Sequence, residues 1–173
     1  MKKFWGILFV FLSPAAFAAE STIGQAVEKN GMEIGAVYLQ AVDMACMSNV
    51  SDNTQYDIHL ETDIHALQNN PNGFAFGEWI PYLTIAYHLN KEGTDWEQTG
   101  SLVPMVANDG PHYGQNVKLD GAGKYKLTFH IEPPDVMGFC HHTDKETGVS
   151  KWWSSFDVSW EFTYLGTGKK GGY

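Results

Sequence analysis

The 173-residue chain carries 20 acidic against 11 basic side chains, a formal net charge of −9, and none of the bases is arginine. That balance argues against nucleic acid or an anionic membrane surface as partner, since both need concentrated positive charge. A cationic ligand is the natural counterpart, although an acidic surface also serves solubility alone.

Lys2 and Lys3 form a positive n-region, residues 4–12 an apolar h-region, and Ala16-Phe17-Ala18 a small-x-small cleavage site. The apolar run is too short to cross a bilayer, which needs about 20 residues. The pattern predicts a signal peptide over residues 1–18, cleaved after Ala18, and a periplasmic location. The mature chain, 19–173, then has 20 acids against nine bases, a net charge of −11. It is long enough for one domain with a substantial core. No later run is apolar enough for membrane insertion, and no cysteine follows the cleavage site closely enough for a lipid anchor. An even pair of cysteines in an oxidising compartment predicts a Cys46–Cys140 disulfide, a thiolate metal role being the other reading.

Residues 22–30 have some helical character. Beyond them the signals are almost all β: residues 34–40, 56–65, 79–89, 102–106, 125–132 and 156–164 are rich in β-branched and aromatic side chains. Turn chemistry separates them at Asn70-Pro71-Asn72-Gly73, Asn108-Asp109-Gly110-Pro111, Asp120-Gly121-Ala122-Gly123 and Glu132-Pro133-Pro134-Asp135. Short strands at this spacing predict an all-β, antiparallel β-sandwich. The Gly/Lys-rich end, residues 166–173, reads as a frayed tail.

Three segments carry candidate chemistry. On a strand, residues 57–65 place Asp57, His59, Glu61, Asp63 and His65 on one face and Ile58, Leu60, Thr62 and Ile64 on the other. A half-buried strand with a solvated face explains the alternation but not the choice of acids and imidazoles. His59 and Glu61, two apart, can offer nitrogen and oxygen to one site, with Asp63 and His65 as a second site or as support. Met105 and His112 flank the Asn108–Pro111 turn, which can bring a thioether and an imidazole back together; separately, a core methionine and a loop histidine are commonplace. In Cys140-His141-His142, adjacent histidines do not point the same way, so at most one enters a given site. His88 and His130 read as structural, and Trp152, Trp153 and Trp160 as core or dimer-interface fillers.

These segments coincide with a known family. Gly31-Met32-Glu33-Ile34, Val37-Tyr38-Leu39-Gln40, residues 57–74, Trp79-Ile80-Pro81-Tyr82-Leu83-Thr84-Ile85-Ala86-Tyr87, residues 105–113 and Glu146-Thr147-Gly148-Val149-Ser150-Lys151-Trp152 resemble the periplasmic iron-transport proteins that accompany a ferrous-iron permease. The resemblance implies an immunoglobulin-like β-sandwich, a homodimer, copper bound near the dimer interface, and a role in iron uptake with an inner-membrane iron permease. Its ligands fall on His59, Glu61, Met105, His112 and His142, one of them supplied across the dimer in some members. Cys46, Cys140 and His141 depart from the family pattern. The mixed donor set suits copper, and carboxylate oxygen suits harder ions such as iron, the expected cargo.

The expected function is therefore metal binding in iron uptake and not catalysis. A periplasmic copper chaperone or scavenger uses the same residues. An electron-transfer copper protein fits less well, because a blue-copper site needs a cysteine thiolate with two histidines and an axial methionine in a spacing this chain lacks. Closed Cys/His tetrads for structural zinc are also missing from the sequence, and so is a Gly-x-Ser-x-Gly nucleophile elbow.

Overall fold

Strict two-residue alternation dominates the chain and gives it one apolar face per strand. In the computed structural model, which describes residues 20–45 and 53–166, the strands are β1 (Ser21–Thr22), β2 (Val27–Lys29), β3 (Met32–Leu39), β4 (Ile58–Ala66), β5 (Thr84–Lys91), β6 (Glu97–Ala107), β7 (Gly110–Val117), β8 (Gly123–Glu132) and β9 (Phe156–Tyr164). Every pairing between them is antiparallel, in the order β1-β3-β4-β7-β6-β5-β8-β9, with β2 also on β3. The long β6 belongs to both layers. Glu97 to Leu102 pair with β5, whereas Val103 to Ala107 pair with β7. The strand thus turns the corner between two sheets of an all-β sandwich.

Side chains from both layers meet in the core. Met32 and Ile34 of β3, Ile58, Leu60 and Ile64 of β4 and Tyr113 and Val117 of β7 face Ile85, Leu89, Leu127, Phe129 and Ile131 of the other sheet, all at most 1% exposed. Each large apolar side chain buried this way contributes roughly 1.5–3 kcal/mol before conformational entropy is subtracted. Trp160 lies in this core against Phe129 (5.5 Å between centroids).

Three local expectations are corrected. Residues 22–30 are not helical: β1 and β2 both pair with β3, and Asn30 and Gly31 turn the chain with positive φ of 52° and 75°. The third sequence segment begins its ladder at Thr84 rather than Trp79. Trp79 makes a single bridge to His65, and Pro81 with Tyr82 (φ 62°) interrupts the pairing. Gly110 and Pro111, read as part of a turn, instead open the central strand β7, whose pairing with β6 along its first half and with β4 along its second overrides its Gly and Pro content. Residues 1–18 and Cys46 lie outside the described residues. Cys140 is exposed, its Sγ 3.7 Å from the Gly138 carbonyl oxygen. Among the described residues no helix is long and apolar enough to cross a membrane.

Candidate metal centre

Because Ile58, Leu60 and Ile64 point into the core, His59, Glu61, Asp63 and His65 stand on the outer face of the first sheet. The register sets their neighbours. His59 lies opposite Asn116 and Glu61 opposite Gly114 on β7, and on the next strand Met105 lies opposite His112. An outer face is ordinarily wet, yet His59 is 0%, His112 5% and Glu61 7% exposed. Part of the cover comes from the chain after β3, which folds back so that Val42 meets the Asn116 side chain.

Glu61 Oε1 lies between the two rings, 3.3 Å from His59 Nε2 and 3.4 Å from His112 Nε2, and the candidate ligand atoms of the three residues lie within 4.8 Å of one another. Neither Nε2 has a hydrogen-bond partner among the described residues. A buried polar atom without a partner costs about 1–3 kcal/mol, so two such atoms aimed at one carboxylate are a specific arrangement. Gly114 supplies the room. A β-carbon there would sit 2.6 Å from His59 Nε2 and 3.4 Å from Glu61 Cγ.

The contacts with Glu61 are not a His–Glu ion pair at neutral pH. Burial pushes the Glu61 carboxyl up to about 8, and the negative charges of Glu20, Asp63 and Asp109 add to the shift. Burial also lowers His59 to about 4, partly offset by its hydrogen bond with Asn116. The cluster therefore holds a proton on Glu61 that a cation can replace. Beside it opens a cavity of about 260 Å³ lined by Glu20, Glu61, Asp63, His65, Asp109 and His112, among others. Burial raises Glu20, helped by the charges of Asp63 and Asp109, and burial raises Asp63 against the opposing pull of His112 and His65. Such a group of carboxylates concentrates cations at its mouth.

Met105 shares a face with its cross-strand partner His112, and directly opposed residues have β-carbons about 4.5–5.5 Å apart. Its thioether thus belongs to the same surface. Beneath His112, Tyr113 turns the other way. Its hydroxyl donates to Ile80 O (2.9 Å) and accepts from Leu83 N (3.0 Å), while its ring stacks on Trp79 (5.0 Å).

His142 is not part of this cluster within one chain. It stands exposed on the loop between β8 and β9, its Nδ1 2.7 Å from Thr147 Oγ1. Phe139, near the start of that loop, stacks on Tyr82 (4.8 Å), and Trp152, near its end, packs on Phe139 (6.2 Å). His88 and His130 lie on the outer face of the second sheet, 3.1 Å from Glu97 and 2.6 Å from Asp157 respectively. The sequence reading passed over Gly114, Asn116 and Glu20. The alternation His112-x-Gly114-x-Asn116 is the signal for the first two, and it becomes visible only once β7 is recognised as a strand.

The donor set fits copper. Two neutral imidazoles and a thioether are borderline and soft ligands, and the carboxylate accommodates a harder ion. Residues 17–166 match the model of the family described as Fe2+ transport protein. A UPF0423 protein of Brucella abortus is 48% identical over 169 residues, covering 96% of this chain and 93% of that one. A copper-bound variant of FetP from uropathogenic Escherichia coli strain F11 is 53% identical, with a TM-score of 0.83, covering 86% of this chain and 99% of its own. The copper-reconstituted P19 protein from Campylobacter jejuni is 51% identical, with a TM-score of 0.84, covering 87% and 99%.

Proposed function

This chain belongs to the Fe2+ transport protein family, and on that premise we propose that it is a periplasmic metal-binding protein of iron uptake, holding copper at His59, Glu61, His112 and Met105. The observation that carries the reading is the pair of buried, unpartnered Nε2 atoms converging on Glu61 in the space Gly114 leaves open. Copper at this place supplies a redox-active cation. The residues themselves would do the rest: His59 and His112 would offer Nε2 and Glu61 a carboxylate oxygen, while Tyr113, beside His112 on β7, is tied to the backbone at Ile80 and Leu83.

His142 completes the site of a second copy. Its side chain is 75% exposed and Thr147 engages its Nδ1, so Nε2 would be the donor offered to a neighbouring molecule. On this reading the protein is a homodimer with a shared centre. Ferrous iron is the cargo, drawn to the oxygen-rich cavity lined by Glu20, Asp63 and Asp109 and passed to an inner-membrane permease. The role is binding rather than catalysis. Copper ranks above ferrous iron in general site affinity, so copper occupancy alone does not make copper the cargo. A copper chaperone or scavenger would use the same ligands. Among the described residues the grouped donors are His59, Glu61 and His112, a set without the thiolate that an electron-transfer blue-copper site uses.

Equilibrium dialysis of the mature protein against Cu(II), comparing wild type with His112→Ala, tests the site. Copper retained by the wild type and lost by the variant is the expected result, whereas equal, negligible retention by both would remove the ligand assignment. Growth of a deletion strain separates the roles: loss of growth in iron-limited medium supports transport, and sensitivity only to copper stress supports the scavenger.

A further inference from the structure

An imidazole can offer one ring nitrogen to a cation only if the hydrogen of its neutral form sits on the other. For His59 that choice is made by a residue the metal reading does not use. Asn116 lies directly opposite His59 on β7, with its Oδ1 2.9 Å from His59 Nδ1. On its own, such a contact does not say which group donates, because an amide can be turned over. Here the backbone of Val42 removes the ambiguity. Val42 N–H donates to Asn116 Oδ1 (3.2 Å), and Asn116 Nδ2 donates to Val42 O (2.7 Å). Turning the amide over would set donor against donor and acceptor against acceptor at both contacts. Oδ1 therefore faces His59, and an amide oxygen accepts only. The hydrogen between them belongs to the imidazole.

We propose that Asn116 is a positioning residue that holds His59 as the Nδ1–H tautomer, so that the Nε2 lone pair is presented to the cluster before any metal arrives. The geometry agrees at the other end of the ring, where Nε2 has no hydrogen-bond partner among the described residues and lies 3.3 Å from Glu61 Oε1. Val42 is itself placed by its neighbours: Asn53 Nδ2 donates to Ala41 O (3.3 Å) and to Asp43 Oδ1 (3.1 Å). The chain from residue 41 to residue 43 thus orients the amide, the amide orients the ring, and the ring aims its free nitrogen. Partners of this kind behind a metal-bound histidine commonly hold tenfold to 100-fold of the affinity.

What the inference says about metal rests on the proposed copper site, but the tautomer is observable without metal. The test is a long-range 1H–15N correlation spectrum of the metal-free mature protein labelled at histidine, with His59 assigned by its absence in His59→Gln. The expected spectrum shows His59 protonated at Nδ1 and unprotonated at Nε2. Asn116→Ala should lose that preference and bind Cu(II) at least about tenfold more weakly. Asn116→Asp, which keeps an acceptor opposite Nδ1, should restore the tautomer. Protonation at Nε2 in the wild type would overturn the inference without any variant. So would an Asn116→Ala protein that keeps both the Nδ1–H signature and wild-type affinity. If the wild type shows the expected tautomer and yet binds no copper, the copper reading fails and the Asn116 inference stands. If it binds copper with His59 protonated at Nε2 in the metal-free form, the copper reading stands and the inference fails.

Discussion

Glu61 and His59 titrate in opposite senses, and the stability of the metal-free protein should show it. Glu61 is raised from 4.5 to about 8, so the folded state holds its proton more tightly than the unfolded chain and loses that advantage as pH rises through about 8. His59 is lowered from 6.5 to about 4, so its contribution is present above 6.5 and is lost as pH falls towards 4. Between 4.5 and 6.5 the two slopes oppose each other. From 6.5 to about 8 the Glu61 slope is no longer opposed by His59, and through Glu61 the metal-free protein should lose up to about 1.4 kcal/mol per pH unit. Denaturant melts at pH 6.5 and 8 measure this, and Glu61→Gln should flatten the fall. Copper affinity should move the other way, rising over the same interval as the competing proton leaves. Gly114 is the second residue whose effect the geometry fixes. A β-carbon 2.6 Å from His59 Nε2 would push on one side of a ring that Asn116 holds at Nδ1. Gly114→Ala should therefore lower Cu(II) affinity at least tenfold by calorimetry, as loss of ligand placement does, while the protein still folds. An unchanged affinity would mean that the space in front of Gly114 is not where the ion sits. His59 and Glu61 were legible in the sequence because the alternation of residues 57–65 carries acids and imidazoles. Gly114 and Asn116 were not, since a glycine matters through the atom it lacks and an asparagine through the partner it meets across a strand.

At the scale of elements, the loop between β8 and β9 determines how His142 is offered. Thr147 Oγ1 donates to Asp144 Oδ2 (2.7 Å), which leaves the hydroxyl oxygen to accept from His142 Nδ1–H. Hydrogen bonds from Thr147, through its side chain first and then its backbone N–H, hold the Asp144 carboxyl below its ordinary range. Gly148 closes the turn where a β-carbon would lie 2.3 Å from the Asp144 carbonyl oxygen. Thr147→Val removes both hydroxyl contacts at an exposed position. It should leave unfolding stability within about 0.5 kcal/mol of wild type and weaken copper binding, which calorimetry reads directly; full affinity would show that His142 is not held for a metal. The sequence made the strands of the sandwich readable through two-residue alternation and turn residues. It misplaced elements where pairing overruled local chemistry: Gly110 and Pro111 look like a turn, yet they pair with Ala107 and Val106 of β6 at the start of β7. Residues 22–30 failed for the same reason, because two short segments gain strand structure from β3 and not from their own composition.

The whole molecule is an acidic sandwich whose outer face, rather than its core, carries the chemistry. An outer face allows a ligand set to be buried and still be reached, here through a cavity of carboxylates. It also allows a neighbouring copy to add a ligand, which no core site permits. Sedimentation of the mature protein should give a dimer, and mixing His142→Ala with His59→Ala subunits should restore copper binding at about one site per hybrid dimer, because each variant supplies the ligand the other lacks. No restoration would place His142 outside the centre. The most direct test of the central claim is anomalous diffraction at the copper edge from crystals of the copper-loaded mature protein. The account predicts a peak in front of Gly114, within bonding distance of His59 Nε2 and His112 Nε2. A peak elsewhere, such as at Cys140 and His141, with none between those two imidazoles, would contradict it.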